Sequence, residues 1–509
     1  MEYVLAYDLG TGGIKASLYN AEGASLASTF LSCKTYYLKQ NFREQKPEDW
    51  WLMVENSTKD LLGSKDINLN DIEGIAVSGH SLGVVPIAYD GSLLQEFVPI
   101  WSDARASEQV NKYFQMVDEK DWYLKTGNGF PAELYSIYKI LWYKDNMPEV
   151  YQKTDKFLGT KDYINYKLTG FLVTDYSYAS GSGVFNLNVN RYEEEYIKLS
   201  GIERTKLPEI VSSTEIVGEL TAEAARQLGL PSGIKVVCGG VDNACMSAGA
   251  GCIDIGNSYT SLGTSSWIAV TSDIPVVDLE KRPYVFAHVI PDMYVSATAI
   301  FSAGNSYRWI RDTICKNLYS DISDKKLDIY TEMDKLAATS PVGANNLIFN
   351  PSLAGGSYLD YSMKTRGAFL GLDLGHNQSD IIRAVLEGIC LNLRVALDVL
   401  ENYISLDKNM LIVGGGGKSQ FWRQLFADIY NKEVIESSIG EDAGSLGAAA
   451  VASVGVGLWE DFQPLIGINK SIGSVTPHSE NVIFYEKRLE VFKKTMKHLA
   501  EIGELMDNS

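Results

Sequence analysis

An α/β fold in two large, similar domains is what this sequence predicts. Three observations carry the expectation. The chain has 509 residues, more than one hydrophobic core ordinarily organises. Short β-prone runs alternate with longer stretches whose apolar residues recur at helical spacing. Two short motifs also resemble each other across the chain: Tyr7-Asp8-Leu9-Gly10-Thr11-Gly12-Gly13 and Thr260-Ser261-Leu262-Gly263-Thr264-Ser265-Ser266, each between two strand-like runs.

The elements follow in order. Tyr3 to Tyr7, Lys15 to Tyr19 and Ser25 to Thr29 read as strands separated by Gly-rich or Asn/Glu/Gly turns. Pro47-Glu48-Asp49 opens a helix, with proline and acids suited to its first turn and Trp50, Met53, Val54 and Leu61 on its apolar face. Ile72 to Val77 and Val84 to Tyr89 are strands, the second closed by Asp90-Gly91. In the second half, Asn257 to Leu262 and Trp267 to Thr271 flank another Gly-containing turn, and Met293 to Ala299 follows as a strand. A long amphipathic helix runs from Ser379 to about Glu401, and Tyr485 to Met506 is a last one. The domain boundary is expected near residue 245, giving domains 1–245 and 246–509.

Composition excludes several classes of function. A formal charge of -19 argues against sequence-independent nucleic-acid binding, which needs a positive footprint. No run is long and apolar enough to cross a bilayer, and Met1-Glu2-Tyr3 leads into a strand rather than a signal peptide. The six cysteines contain no CxxC pair, the usage of reduced thiols in a cytosol. A cytoplasmic location is therefore expected.

Several short constellations can carry chemistry. In Asp8-Leu9-Gly10-Thr11-Gly12-Gly13-Ile14-Lys15, three glycines let backbone N–H groups approach phosphate oxygens. Thr11 adds a donor, Lys15 adds charge, and Asp8 can hold magnesium through water. The alternative is a plain Gly-rich hairpin. In Val236-Val237-Cys238-Gly239-Gly240-Val241-Asp242-Asn243, a strand delivers two glycines and then a carboxylate able to accept the proton of an attacking hydroxyl. The alternative is an Asx turn or a helix cap. Trp101-Ser102-Asp103-Ala104-Arg105, if extended, puts an aromatic, a carboxylate and a guanidinium on one face, suited to a polyhydroxylated ligand. An internal Asp103–Arg105 ion pair is its bland reading.

Two motifs are decoys. Gly414-Gly415-Gly416-Gly417-Lys418-Ser419 follows the strand Leu411-Ile412-Val413 and invites a P-loop reading, but that spacing needs glycine at position 412, which is Ile412. The run suits the edge of an adenosine pocket instead. Gly79-His80-Ser81-Leu82-Gly83 matches the nucleophile elbow of a serine hydrolase, yet an elbow must turn into a helix. Here Val84-Val85-Pro86-Ile87 leaves as a strand.

Taken together and in this order, the motifs resemble the FGGY family of carbohydrate kinases, within the superfamily of sugar kinases, actin and Hsp70-type ATPases. The resemblance covers residues 3 to about 455. It rests on Asp8 to Lys15, Ser261 to Ser265, Gly239 to Asn243, Gly367-Ala368-Phe369-Leu370-Gly371-Leu372 with the following helix, and the glycine run with Trp422, Gln424, Ala427 and Asp428. Asp162 to Gly170 and Thr174 to Ser180 look like the pentulokinase, xylulokinase-like branch.

The resemblance implies two RNase H-like domains flanking a cleft, sugar mainly on the first and ATP with Mg2+ mainly on the second. It implies Asp242 as general base, with Asp8 and Asp242 at the metal. Thr11, Gly12, Gly13, Lys15, Gly263, Thr264, Gly304, Arg308, Gly415, Gly416 and Gln420 would line the nucleotide site. His80, Ser81, Trp101, Asp103, Asp242 and Asn243 would meet the substrate, a small sugar or polyol with a ketopentose such as xylulose first. A homodimer is the assembly considered. One departure stands out: xylulokinase-like members carry Met-His-Gly where this chain has Ser81-Leu82-Gly83, its histidine lying earlier at His80. Glycerol kinase-like members have Arg-Glu where this chain has Ser81-Leu82, which disfavours glycerol. The competing functions are a non-kinase ATPase of the same superfamily, working as chaperone or filament subunit, and a sugar-binding regulator without catalysis. Asp242-Asn243 after two glycines, and an end soon after the adenosine motif, weigh against the first. The presence of both Asp8 and Asp242 weighs against the second.

Overall fold

The computed structural model describes residues 2–63, 67–318 and 328–507. Its frame is two β-sheets. In the first, β1 (Tyr3–Gly10), β2 (Gly13–Asn20) and β3 (Ser25–Ser32) are antiparallel neighbours, and β4 (Ile72–Gly79) lies parallel to β1 on its other side. The edge strand β5 (Ile216–Glu219) is antiparallel to β6 (Lys235–Val241), which lies parallel to β4, giving the order β5-β6-β4-β1-β2-β3.

The second sheet contains β7 (Ser258–Leu262), β8 (Ser266–Ser272), β9 (Tyr284–Ala287), β10 (Tyr294–Ile300), β11 (Asn409–Val413), β12 (Glu433–Ser437) and β13 (Ser471–Val475). Its order is β9-β10-β8-β7-β11-β12-β13. The blocks β3-β2-β1-β4-β6 and β10-β8-β7-β11-β12 have the same order and the same strand directions. Each block also carries one antiparallel strand beyond its last parallel one. The duplication suggested by seven similar residues therefore extends to whole-sheet topology.

Helices cover these sheets because their apolar faces match them. The helix α1 (Pro47–Gly63) buries Trp50, Met53, Val54 and Leu61, the face read from the sequence, against β2 and β3. Three further helices matter to the site: α2 (Thr160–Thr169), α3 (Asp242–Gly249), which starts directly after β6, and α4 (Gly304–Thr313), which follows β10. The helix α5 (Gln378–Glu401) starts at a capping box between Asn377 and Asp380 and lies along the second sheet. Two more helices, α6 (Gln420–Tyr430) and α7 (Ala443–Val456), follow toward the end of the second half.

Although α7 belongs to the second half of the chain, it packs on β1, β4 and β6 of the first sheet and on α3. Glycine makes that approach possible. A Cβ at Gly447 would meet the Cys245 carbonyl oxygen at 1.8 Å, and one at Gly249 would meet that of Ala443 at 1.8 Å. Residue 245, where the boundary is expected, lies inside α3, in an apolar cluster drawn from both halves of the chain.

Candidate active site

The strand register assembles the first part of the site. Asp8 on β1 is opposite Lys15 on β2 and opposite Ser78 on β4. Ser78 is in turn opposite Gly240 on β6, so Asp242 emerges two residues further on, at the same carboxyl-terminal edge. Open α/β sheets place ligands at this edge. Ser78 Oγ donates to Asp8 Oδ1 at 2.8 Å. The Asp8 carboxyl is pushed up by burial, with the Ser78 hydrogen bond and Lys15 pulling it back.

Asp242 is the first residue of α3, where the helix dipole favours a carboxylate. Its Oδ1 accepts from the Asn243 backbone N–H at 2.8 Å and from Asn243 Nδ2 at 3.0 Å. The helix cap is Val241, so Asp242 is in the first turn of α3 and not its cap. Burial, reinforced by the Asp8 charge, pushes Asp242 up to about 7 despite those two hydrogen bonds. A carboxyl poised there can take a proton near neutral pH. Two facing carboxylates also fit a hard divalent cation that keeps several of its waters. Among the described residues no cluster of three or more His, Cys, Asp or Glu stands ready for a metal, so phosphate and water oxygens would complete the shell.

The turn between β1 and β2 is tied down from outside. Gln45 Nε2 donates to the Thr11 carbonyl at 2.8 Å, and Trp101 Nε1 donates to Thr11 Oγ1 at 2.8 Å. Gly12 faces open space, with nothing within 4 Å of a Cβ placed there. Lys15 is paired with Asp442, just before α7, and Lys418 reaches the neighbouring Glu441 at 3.1 Å. One segment is thereby held by a lysine from each half of the chain.

His80 and Ser81 continue β4 past its end. The His80 amide donates to the Leu9 carbonyl at 2.9 Å, and the ring lies edge-on to Trp50. His80 is 1% exposed, and neither ring nitrogen has a hydrogen-bond partner. Burial and nearby Lys139 push it down to about 3, so it is neutral at physiological pH. Leu82 has φ of 60°, and the chain leaves as the strand Val85–Ala88, not as the helix a nucleophile elbow requires.

The segment 101–105 is a turn, unlike the extended stretch considered from the sequence. The Asp103 amide closes it onto the Ile100 carbonyl at 3.1 Å. Asp103 is fully buried and accepts from Arg105 Nε and Nη2, each at 2.8 Å, and from the Arg43 amide at 2.6 Å. Arg105 also bonds Glu44 at 2.6 Å. Both Asp103 oxygens are therefore engaged by the protein, and the ion-pair reading describes this turn.

The second half supplies a cavity of about 480 Å³, within the range of small-molecule sites. Gly263, Thr264, Gly304, Arg308, Gly415 and Gly416 all line it. The turn after β7 abuts the start of α4: the Gly304 amide donates to the Gly263 carbonyl at 3.0 Å, and a Cβ at Gly304 would meet that oxygen at 2.4 Å. Gln420 is exposed at the start of α6 and is not among the lining residues. Trp422 from the adenosine motif and three residues missed from the sequence complete the wall. Tyr307, Tyr330 and Trp422 form an aromatic side, and Asp334 accepts from Tyr307 Oη at 2.7 Å and Ser419 Oγ at 2.6 Å. Tyr307, Tyr330 and Asp334 carry no local motif; helical spacing alone places Tyr307 three residues after Gly304.

Models of the FGGY family of carbohydrate kinases match both halves of the chain, the N-terminal domain over residues 3–249 and the C-terminal domain over residues 258–456. The chain belongs to the FGGY family of carbohydrate kinases. Its relatives agree along its whole length. The xylulose kinase of Bacillus subtilis (strain 168) is 28% identical over 504 residues, 99% of this chain and 98% of that one. The ligand-bound crystal structure of xylulose kinase from Lactobacillus acidophilus superimposes with a TM-score of 0.90 at 27% identity, covering 98% and 99% of the two chains. A gluconate kinase structure from the same organism gives 0.90 and 27%, with 98% of each chain covered. Within this carbohydrate kinase the two carboxylates and the cavity lie at the corresponding edges of duplicated sheets, and no described helix is long and apolar enough to cross a membrane.

Proposed function

We propose that this carbohydrate kinase transfers the γ-phosphoryl group of ATP to a hydroxyl of an uncharged ketose, a ketopentose such as xylulose first, in the cytoplasm. The observation that carries the reading is Asp242, set at a helix start beside Asp8 and pushed up to about 7. As the sugar hydroxyl attacks the γ-phosphorus, Asp242 takes its proton and ADP leaves, giving sugar phosphate, ADP and a proton. Asn243 holds the carboxylate oriented through two hydrogen bonds. Backbone N–H groups at Gly12, Gly13, Gly263 and Thr264 would bind phosphate oxygens, and the aromatic wall around Tyr307 would take the base. Mg2+, held by Asp8 and Asp242 through oxygen, would supply charge neutralisation for the phosphates.

On the sugar side, His80 offers a buried neutral donor and acceptor without partners, which suits hydroxyl groups. Trp101 and Ser81 would flank them, with Asp103 behind. The likeness to a gluconate kinase favours a second reading, a sugar acid. The two carboxylates already facing the cleft weigh against it, because a third would add like charge.

A coupled ADP-release screen across ketoses, aldoses, polyols and sugar acids tests both. The best substrate is expected among the ketoses, and a sugar acid in that place overturns the ketose reading. Asp242→Ala should lower kcat about 10²–10⁴-fold with nucleotide binding kept. A variant retaining a tenth or more of wild-type activity refutes the base assignment.

A further inference from the structure

The two motifs around Asp162 and Thr174 have no part in the chemistry described so far, yet they meet directly behind Asp242. The strand β6 carries a bulge: its register against β4 slips between Val237 and Gly240, so Cys238 and Gly239 both lie opposite Val77. Gly239 takes φ of 76°, and a Cβ there would meet the Val77 carbonyl oxygen at 2.0 Å. A bulge frees backbone polar groups that must find other partners.

The Cys238 and Gly239 amides turn to the carbonyls of Glu215 and Ser213, and side chains receive the neighbouring groups. The Cys238 carbonyl accepts from Asn165 Nδ2 at 2.6 Å and from Lys161 Nζ at 3.3 Å. The Val241 amide, one residue before Asp242, donates to Ser177 Oγ at 2.8 Å. Ser177 Oγ in turn donates to Asp175, which also accepts from the Ser177 amide at 2.9 Å and Ser213 Oγ at 2.8 Å. Lys161 closes the network on Asp175 at 3.0 Å and Asp162 at 2.6 Å. Lys161, Asp162, Asn165, Asp175 and Ser177 are all fully buried.

We propose that Lys161, Asp175 and Ser177 are positioning residues for phosphoryl transfer: through the Val241 amide and the bulge at Cys238 they fix the direction in which Asp242 leaves β6. The inference rests on the reading of Asp242 as the base. A network placed only for stability would have no reason to converge on the two backbone groups that bracket Gly239-Gly240, on the strand that delivers the reacting carboxylate. A buried network whose charges are paired is rigid, and a displacement of about 1 Å at a reacting group can reduce rate on the order of 10²-fold.

The test is a double-mutant cycle on the full chain, with Ser177→Ala, Asp242→Ala and both together. Sugar-dependent ADP release, sugar KM, ADP affinity and melting temperature are measured for each. Ser177→Ala is expected to lower kcat about 10–100-fold, with sugar KM and ADP affinity held within about threefold. In the Asp242→Ala background it should leave the residual rate unchanged, because the group it directs is gone. An equal loss with and without Asp242, or a change confined to melting temperature and KM, overturns the proposal. The Asp242→Ala arm alone decides whether the base reading stands, so the two failures are separable. If Ser177→Ala folds poorly, Asn165→Leu perturbs the same bulge from the Cys238 side and should show the same split between kcat and KM.

Discussion

Replacing Asp242 by asparagine should make this kinase more stable at alkaline pH while removing its activity. The carboxyl has a folded-state value of about 7 against an ordinary 3.8, raised by burial and by Asp8. The folded protein therefore holds a proton that the unfolded chain has lost between these values. That contribution to stability is fully present below about pH 4 and is lost as pH rises through 7. Above 7 the wild-type protein holds an ionised Asp242 against Asp8, and an asparagine side chain in its place would carry no such charge. At about 1.36 kcal/mol per pH unit the ceiling is roughly 4 kcal/mol, and water reaching the half-buried group lowers the expectation to about 1–2 kcal/mol. The assay is urea unfolding of metal-free protein from pH 4.5 to 8.5. The stability gained by Asp242→Asn should grow up to about pH 7 and then level off. In parallel, wild-type kcat/KM for sugar should rise about tenfold per pH unit below 7 and flatten above it. A variant no more stable than wild type at pH 8.5, or a flat rate profile below 7, would refute the account of Asp242.

Two further substitutions separate the roles of motif residues. Ser81→Ala should leave kcat within about threefold of wild type with at most a raised sugar KM, since the chain around it has no elbow geometry; covalent labelling of Ser81 by a fluorophosphonate together with lost activity would contradict this. Asp103→Ala removes one of the two carboxylates paired with buried Arg105, Glu44 remaining, and should lower unfolding free energy by about 1–3 kcal/mol, the usual loss for hydrogen bonds to a charged group; unchanged stability with a large rise in sugar KM would instead place Asp103 on the ligand.

The first sheet and its turn were legible because local signals agree there: period-two apolar runs, glycines at the turn and an acid at the strand end all point the same way. Pro47 likewise marked the start of α1 to the residue. The segment 101–105 misled because its alternation of Trp101, Asp103 and Arg105 suits a strand, and only tertiary partners decide otherwise. Those partners, the Ile100 carbonyl and the Arg43 amide, come from its own start and from 60 residues away. Gln45, Lys139 and Asp334 were invisible for the same reason. Lys139 is buried and donates to the carbonyls of Leu82 at 3.0 Å and Ile100 at 2.7 Å, joining the loop after β4 to the turn before Trp101. Nothing in its helical neighbourhood distinguishes it from a solvated lysine.

The duplicated hairpins explain why the chemistry is lopsided. The first copy places Asp8 and Lys15 opposite each other across a two-residue turn, since Gly10 pairs with Gly13. In the second copy Leu262 pairs with Ser266, so three residues turn the chain and the register slips by one. Where the first motif has Asp8, the second has Ser261; where the first has Lys15, the second has Ile268. Both copies keep a backbone turn able to present N–H groups, but only the first retains charge. A cleft built from two acidic turns would repel a polyphosphate from both walls. On the proposed reading, with one neutral wall a polyphosphate would rest against Gly263 and Thr264, while the acidic wall would keep the carboxylates for a cation and a proton acceptor. The same topology thus carries two different surfaces because charged positions and turn length differ between the hairpins, a difference that the paired strands make explicit and a motif comparison leaves hidden.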